Sequence, residues 1–200
     1  MKVLFLTSNP ASAPLMAWLK EHTQLIPWES ALTLKQLDDL HPDLIISYSY
    51  GHILKAELLA SRPHKFINLH ISLLPYNRGA DPHLWSFLEN TPKGVSIHRI
   101  DAGIDTGPVL AQKEVTFDER NETLSHSYQT LQEQIQLLFR HHWDSLCEGS
   151  LRAVPQTGEG TFHYVREFAA IKDRLLGKEG WDVPVLVFQD RYRRLKDSGQ

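Results

Sequence analysis

A chain of 200 residues with 42% hydrophobic and 22% charged residues has the makeup of a globular protein and enough length for one continuous core. Its 21 basic and 24 acidic residues leave a net charge of -3 with no long basic block, which argues against an extended nucleic-acid surface. The single cysteine, Cys147, excludes an intramolecular disulfide and a cysteine-based zinc site, and no apolar run reaches membrane-spanning length.

The elements alternate from the first residues. KVLFLT (residues 2–7) reads as a strand buried on both faces, SNPAS (8–12) as a turn and APLMAWLKE (13–21) as a helix. TQLIPW (23–28) reads as a second strand, LTLKQLDDL (32–40) as a helix, DLIISYSY (43–50) as a strand and ILKAELLAS (53–61) as a helix. KFINLHIS (65–72) is the next strand, and DPHLWSFLEN (81–90) has the early Pro of a helix start. VSIHRI (95–100) and PVLAQKEVTF (108–117) then flank a Gly-rich turn as a hairpin-like pair. A long helix is expected from Leu124, with apolar residues at Tyr128, Leu131, Ile135, Leu138 and Phe139 and a stop at Gly149. The tail from Gly158 is less regular and ends in a helix whose DRYRRLK (190–196) reads as a solvated basic face. This order implies an α/β fold with a mostly parallel sheet, right-handed crossovers and ligands beyond the carboxyl ends of the strands. The domain reading is a core over 1–150 with 151–200 completing the same domain. The N-terminus has no charged-then-apolar leader, so the expected location is the cytoplasm.

Strand alternation puts Asn68, His70 and Ser72 on one face, where the strand ends. The loop DAGIDTG (101–107) is too Gly-rich for a helix and can aim a carboxylate back at that face. A carboxylate beside an imidazole favours the charged ring and fixes its tautomer. With an amide to hold a carbonyl oxygen, such a trio suits attack of an amine on an acyl carbon, and no G-x-S-x-G nucleophile motif is present. On pattern alone, a strand histidine is more often a hydrogen-bonded packing residue. The 11 histidines form no H-E-x-x-H or other compact ligand set, so no metal is expected.

Residues 67–112, INLHISLLPYNRGADPHLWSFLENTPKGVSIHRIDAGIDTGPVLAQ, resemble the core of formyltransferases that use N10-formyltetrahydrofolate. The shared pattern is Asn-x-His at a strand end, then SLLP, then an Arg-Gly turn, then D-x-G-x-D-T-G. The resemblance implies a Rossmann-like formyltransferase fold with a C-terminal helical tail, and a catalytic trio of Asn68, His70 and Asp105. Asp101 is the alternative acid and a shaper of the loop. It further implies a folate pocket formed by Gly51, His52, Leu54, Asp101, Gly103 and Asp105, Leu54 reading equally as core. Ile71 departs from the family's usual Pro or Ala, on the face away from the trio.

Three acceptor classes compete. Methionyl-tRNA formyltransferases carry a further barrel domain and a basic surface, and this chain ends about where that domain would begin. Glycinamide-ribotide formyltransferases have a Gly-rich first loop, where this chain has TSNPAS (7–12). GEGTFHYVREF (158–168), LFLT, SYSYGHIL and DPHLWS resemble compact sugar N-formyltransferases of pseudaminic-acid-type pathways and the formylation domain of linear gramicidin synthetase. The expected reaction is therefore formyl transfer from N10-formyltetrahydrofolate, without metal, to a nucleotide-linked amino sugar, a UDP-4-amino-4,6-dideoxy sugar. The alternatives are a carrier-bound aminoacyl group, glycinamide ribotide, and hydrolysis of formyl-folate. Ser8 and Asn9 at a helix start, Arg78, Thr161 and His163 are the candidate substrate contacts, with Trp85 and Arg166 beside them. The apolar run in WDVPVLVFQDRYRRL (181–195) suits packing on a second subunit, as in a homodimer, or on its own domain. No nucleic-acid or membrane partner is expected.

Overall fold

The computed structural model describes residues 1–199. The chain divides into two compact units, the first holding residues 1–70, 96–112 and 135–156, the second residues 71–95, 113–134 and the chain from 157 on. The first unit opens with β1 (Lys2–Leu6), α1 (Ala13–His22), β2 (Gln24–Trp28), α2 (Leu34–Leu40), β3 (Leu44–Tyr48), α3 (Ala56–Ser61) and β4 (Phe66–His70). With β6 (Gly94–Arg99) and β7 (Val109–Glu114) these strands make a six-stranded sheet in the order β2-β1-β3-β4-β6-β7. β1 pairs in parallel with β2 and β3, and β3 with β4, whereas β6 runs antiparallel to β4. This is the mostly parallel α/β sheet that the alternation implies.

The physical causes are local. Val3, Leu4, Phe5 and Leu6 are wholly buried, as an unbroken apolar strand in a parallel sheet must be. Pro27 lacks a ladder N–H and is tolerated in β2, which lies at the sheet's edge. α2 is opened by a capping box. Thr33 Oγ1 accepts from the Gln36 N–H at 3.3 Å and Gln36 Oε1 accepts from the Thr33 N–H at 2.9 Å. Leu4, Leu6, Leu32, Leu37, Ile45, Leu58 and Phe66 form one apolar core cluster of this unit.

Two expectations change. The helix read from residue 53 begins at Ala56, because Lys55 is extended and Ile53 is 85% exposed. The single long helix is two, α5 (Leu124–His141) and α6 (Trp143–Glu148), broken at His142 where φ is -99° and ψ is 9°. Trp143 and Leu146 are buried after the break, so the apolar pattern runs through it. Gly149, at φ 67°, ends α6 as read.

The second unit holds β5 (Arg78–Gly79), α4 (Pro82–Leu88), β8 (Phe162–His163), α7 (Val165–Ala169), α8 (Lys172–Leu176) and α9 (Val185–Asp197). β5 and β8 pair in parallel. Gly79 sits at φ 85°, and a Cβ there would lie 2.4 Å from the His163 carbonyl oxygen, so only glycine fits this turn. Leu84, Trp85, Phe87, Phe168, Leu175, Val183, Val185 and Phe188 make the core, which is how the helical tail buries its apolar faces. Among the described residues no helix is long and apolar enough to cross a membrane.

Candidate active site

β4 carries Asn68 and His70, which alternate with the buried Ile67 and Leu69. In the sheet register Asn68 lies beside Ser47 of β3 and opposite His98 of β6, so these three side chains share one face. His98 is 1% exposed and His70 7%. His98 is absent from the sequence-based candidates. Its signal was available, since Ser96 and His98 alternate with Val95 and Ile97 with the same period of two as Asn68 and His70.

The loop after β6 is fastened from inside. The Asp101 carboxylate accepts from the Gly103 N–H at 3.1 Å and from the Thr106 hydroxyl at 2.6 Å. A Cβ on Gly103 would stand 2.1 Å from Thr106 Oγ1, and one on Gly107 would stand 1.9 Å from the Arg99 carbonyl oxygen. Asp105 adopts φ 54°, a left-handed conformation that costs an L-residue about 1–2 kcal/mol and persists where the surroundings enforce it. Its carbonyl oxygen and that of Gly107 each accept, at 2.8 Å, from the Gln156 side-chain amide.

This backbone aims the Asp105 carboxylate at the sheet. Its Oδ1 accepts from Asn68 Nδ2 at 3.1 Å and lies 3.4 Å from His98 Nε2, while Oδ2 lies 3.7 Å from His70 Nδ1. One proton can be assigned. His98 Nδ1 is 2.8 Å from the Arg99 carbonyl oxygen, an obligate acceptor, so Nδ1 carries a hydrogen. Asn68 Nδ2 is 3.2 Å from His98 Nε2. The amide thus lies between His98 and Asp105 and donates to the carboxylate, which orients it. The result is one carboxylate, two imidazoles and one oriented amide converging on a strand end. Such a cluster can accept a proton from an attacking amine and hydrogen-bond a developing oxyanion.

The other sequence candidates lie as follows. In the first unit the Gly51 N–H donates to Ser8 Oγ at 3.2 Å, His52 packs edge-on to Tyr50 with ring centroids 5.2 Å apart, and Leu54 packs against the core. Tyr50 donates its hydroxyl to the Ser30 carbonyl at 2.5 Å, and burial raises its pKa. Asn9 Oδ1 accepts from the Ala11 N–H at 2.9 Å, so both first-loop side chains make bonds inside the fold. Arg78, Thr161 and His163 belong to the second unit. Thr161 Oγ1 accepts from the Asn77 N–H at 2.8 Å and the Arg78 N–H donates to the Thr161 carbonyl at 3.0 Å. His163 stacks on Trp85 at 3.8 Å with its ring nitrogens 3.1 Å from Glu89 and Glu167, and Arg166 lies over the Tyr164 ring at 4.8 Å. Trp85 is 5% exposed and is part of the core. Among the described residues no group of three or more His, Cys, Asp or Glu side chains is placed to hold a metal ion.

A family profile for formyl transferases matches residues 21–140. The formyltransferase PseJ of Anoxybacillus kamchatkensis, whose structure holds UDP-4,6-dideoxy-4-formamido-L-AltNAc and tetrahydrofolate, is 35% identical with a TM-score of 0.85, over 96% of this chain and 100% of that one. Methionyl-tRNA formyltransferase of Thermodesulfovibrio yellowstonii is 41% identical over 132 residues, 64% of this chain and 42% of that protein. The enzyme of the same name from Myxococcus xanthus is 33% identical over 160 residues, 80% and 49% respectively. The chain thus spans about half the length of these curated relatives.

Proposed function

The chain belongs to the formyl transferase family, and on that premise we propose that it moves a formyl group from N10-formyltetrahydrofolate to the amine of a nucleotide-linked amino sugar, a UDP-4-amino-4,6-dideoxy sugar. The observation that carries the sugar is the likeness to PseJ along nearly all of both chains, at 35% identity. The methionyl-tRNA formyltransferases support the transfer chemistry but match over only 42% and 49% of their length, and a net charge of -3 without a basic block does not suit a tRNA surface.

In this mechanism the amine nitrogen attacks the formyl carbon. The His70 ring hydrogen-bonds the negative charge that develops on the formyl oxygen, while the Asn68 amide, which donates to Asp105, orients that carboxylate. Asp105 takes the proton released by the amine as the new C–N bond forms. The C–N10 bond then breaks as Asp105 passes that proton to N10, so that tetrahydrofolate leaves and Asp105 is a carboxylate again. His98, committed through Nδ1 to the Arg99 carbonyl, keeps the Asn68 amide turned toward the cluster.

The test is turnover of N10-formyltetrahydrofolate with a panel of UDP- and dTDP-linked amino sugars, glycinamide ribotide, charged initiator tRNA and a carrier-bound aminoacyl group. Tetrahydrofolate release and product mass are the readouts. A formylated UDP-4-amino sugar is expected. Formylation of the tRNA alone, or folate release with no formylated product, would refute the sugar reading.

A further inference from the structure

We propose that Gln156 is a positioning residue for the reaction. Its amide fixes the backbone of the Asp105 loop and so sets where the Asp105 carboxylate points. The inference rests on the formyl-transfer reading of Asp105 but not on which amine is the acceptor.

Gln156 lies in an irregular stretch after α6, outside the segments that suggested the site. That stretch is tethered to the first residue of β7, since the Val109 and Val154 N–H groups each donate to the other's carbonyl at 2.8 Å. Two residues further on, one side-chain nitrogen bridges two carbonyls of the catalytic loop, Asp105 and Gly107, at 2.8 Å each. The two carbonyls bracket Thr106, whose hydroxyl is held by Asp101 at 2.6 Å. The loop is thus held from within by Asp101 and from outside by Gln156, and Asp105 sits between them at φ 54°. A left-handed L-residue returns to ordinary backbone when its restraints are released. The peptide units that follow Asp105 and Gly107 would then move, and the carboxylate with them.

The geometry demands a primary amide. Two N–H donors on one nitrogen serve two acceptors at once, which neither a carboxylate nor a thioether of the same length can do. Gln156→Met keeps the side chain's length and removes both donors. Gln156→Glu keeps the shape and turns two attractions into contacts between acceptors.

Both variants are to be measured against wild type in two ways. The first is kinetics with N10-formyltetrahydrofolate and the UDP-4-amino sugar. The expected result for Gln156→Met is a kcat lower by about 30-fold or more with KM for both substrates within about threefold, the pattern of a misplaced catalytic group. Gln156→Glu is expected to regain part of its kcat as the pH is lowered, because a protonated carboxyl can donate one hydrogen bond. The second is the Asp105 carboxyl titration, followed by 13C NMR in the protein without ligands. Its midpoint is expected to move in both variants. A titration superimposable on wild type overturns the proposal whatever the kinetics, as does a Gln156→Met enzyme with wild-type kcat. If wild type itself does not turn over the sugar, the acceptor reading fails and the titration still decides the role of Gln156.

Discussion

His83 gives a prediction whose size follows from its surroundings. It is 4% exposed on α4, with its ring edge-on to Phe87 and Tyr128 at centroid distances of 5.5 and 5.7 Å. Its Nε2 lies 2.8 Å from Ser127 Oγ, and that hydroxyl donates to the Thr123 carbonyl at 2.8 Å, so the ring donates to it through Nε2. Burial pushes the His83 pKa down from 6.5 to about 3. The unfolded chain therefore binds a proton that the folded one refuses, and stability rises with pH between these values. The contribution is fully present above the unfolded value and is lost as pH falls toward 3. From pH 7.5 to pH 5 the loss is about 2 kcal/mol, and to pH 4 about 3 kcal/mol. Gln at this position keeps a donor for Ser127 and cannot titrate. Urea unfolding of wild type and His83→Gln, followed by tryptophan fluorescence from pH 7.5 to 4, should show their stability difference shifting in favour of the variant by these amounts as the pH drops. Curves that stay parallel to within about 0.5 kcal/mol would refute the assignment of a buried neutral ring.

Asp105→Asn removes the proton acceptor and should lower kcat by about 10²–10⁴-fold, read as tetrahydrofolate release; a rate within threefold of wild type removes Asp105 from the chemistry. His98→Phe keeps a buried ring but gives up the Asn68 contact, and should cost about tenfold in kcat while circular dichroism stays unchanged. Gly107→Ala places a methyl 1.9 Å from the Arg99 carbonyl, so the loop must recede by about 1.5 Å to reach the 3.4 Å of an ordinary contact. About 100-fold in kcat should go with it. Gly149→Ala, with nothing within 4 Å of the added methyl, should cost only about 1 kcal/mol for its φ of 67° and leave kcat unchanged, as a thermal melt beside the same assay would show.

Much of the first unit was legible because its signals are short-range. β1 and β3 are unbroken apolar runs, and Asn68 and His70 stand out against the apolar residues between them. The pairing of Asn68 with His98 was not legible in the same way. It depends on the antiparallel register of two strands 30 residues apart, which only the folded sheet sets. The break at His142 escaped for the opposite reason, because the apolar spacing continues through Trp143 and Leu146 and periodicity does not register a one-residue change of backbone.

The chain's own residues determined that a parallel sheet would form and that an amide, an imidazole and a carboxylate would be available near its strand ends. Period-two alternation, buried apolar strands and a loop needing two glycines are properties of local sequence, enforced by sterics and by the removal of apolar surface from water. Tertiary structure alone decided the bonds those groups make. The serine and asparagine that read as substrate contacts accept from the Gly51 and Ala11 N–H groups, and an unremarked glutamine, 51 residues from Asp105, carries two hydrogen bonds to the loop that aims it. The reason is physical. A polar side chain bonds to whatever donor or acceptor the folded backbone brings within about 3 Å, and that proximity is not encoded in neighbouring residues.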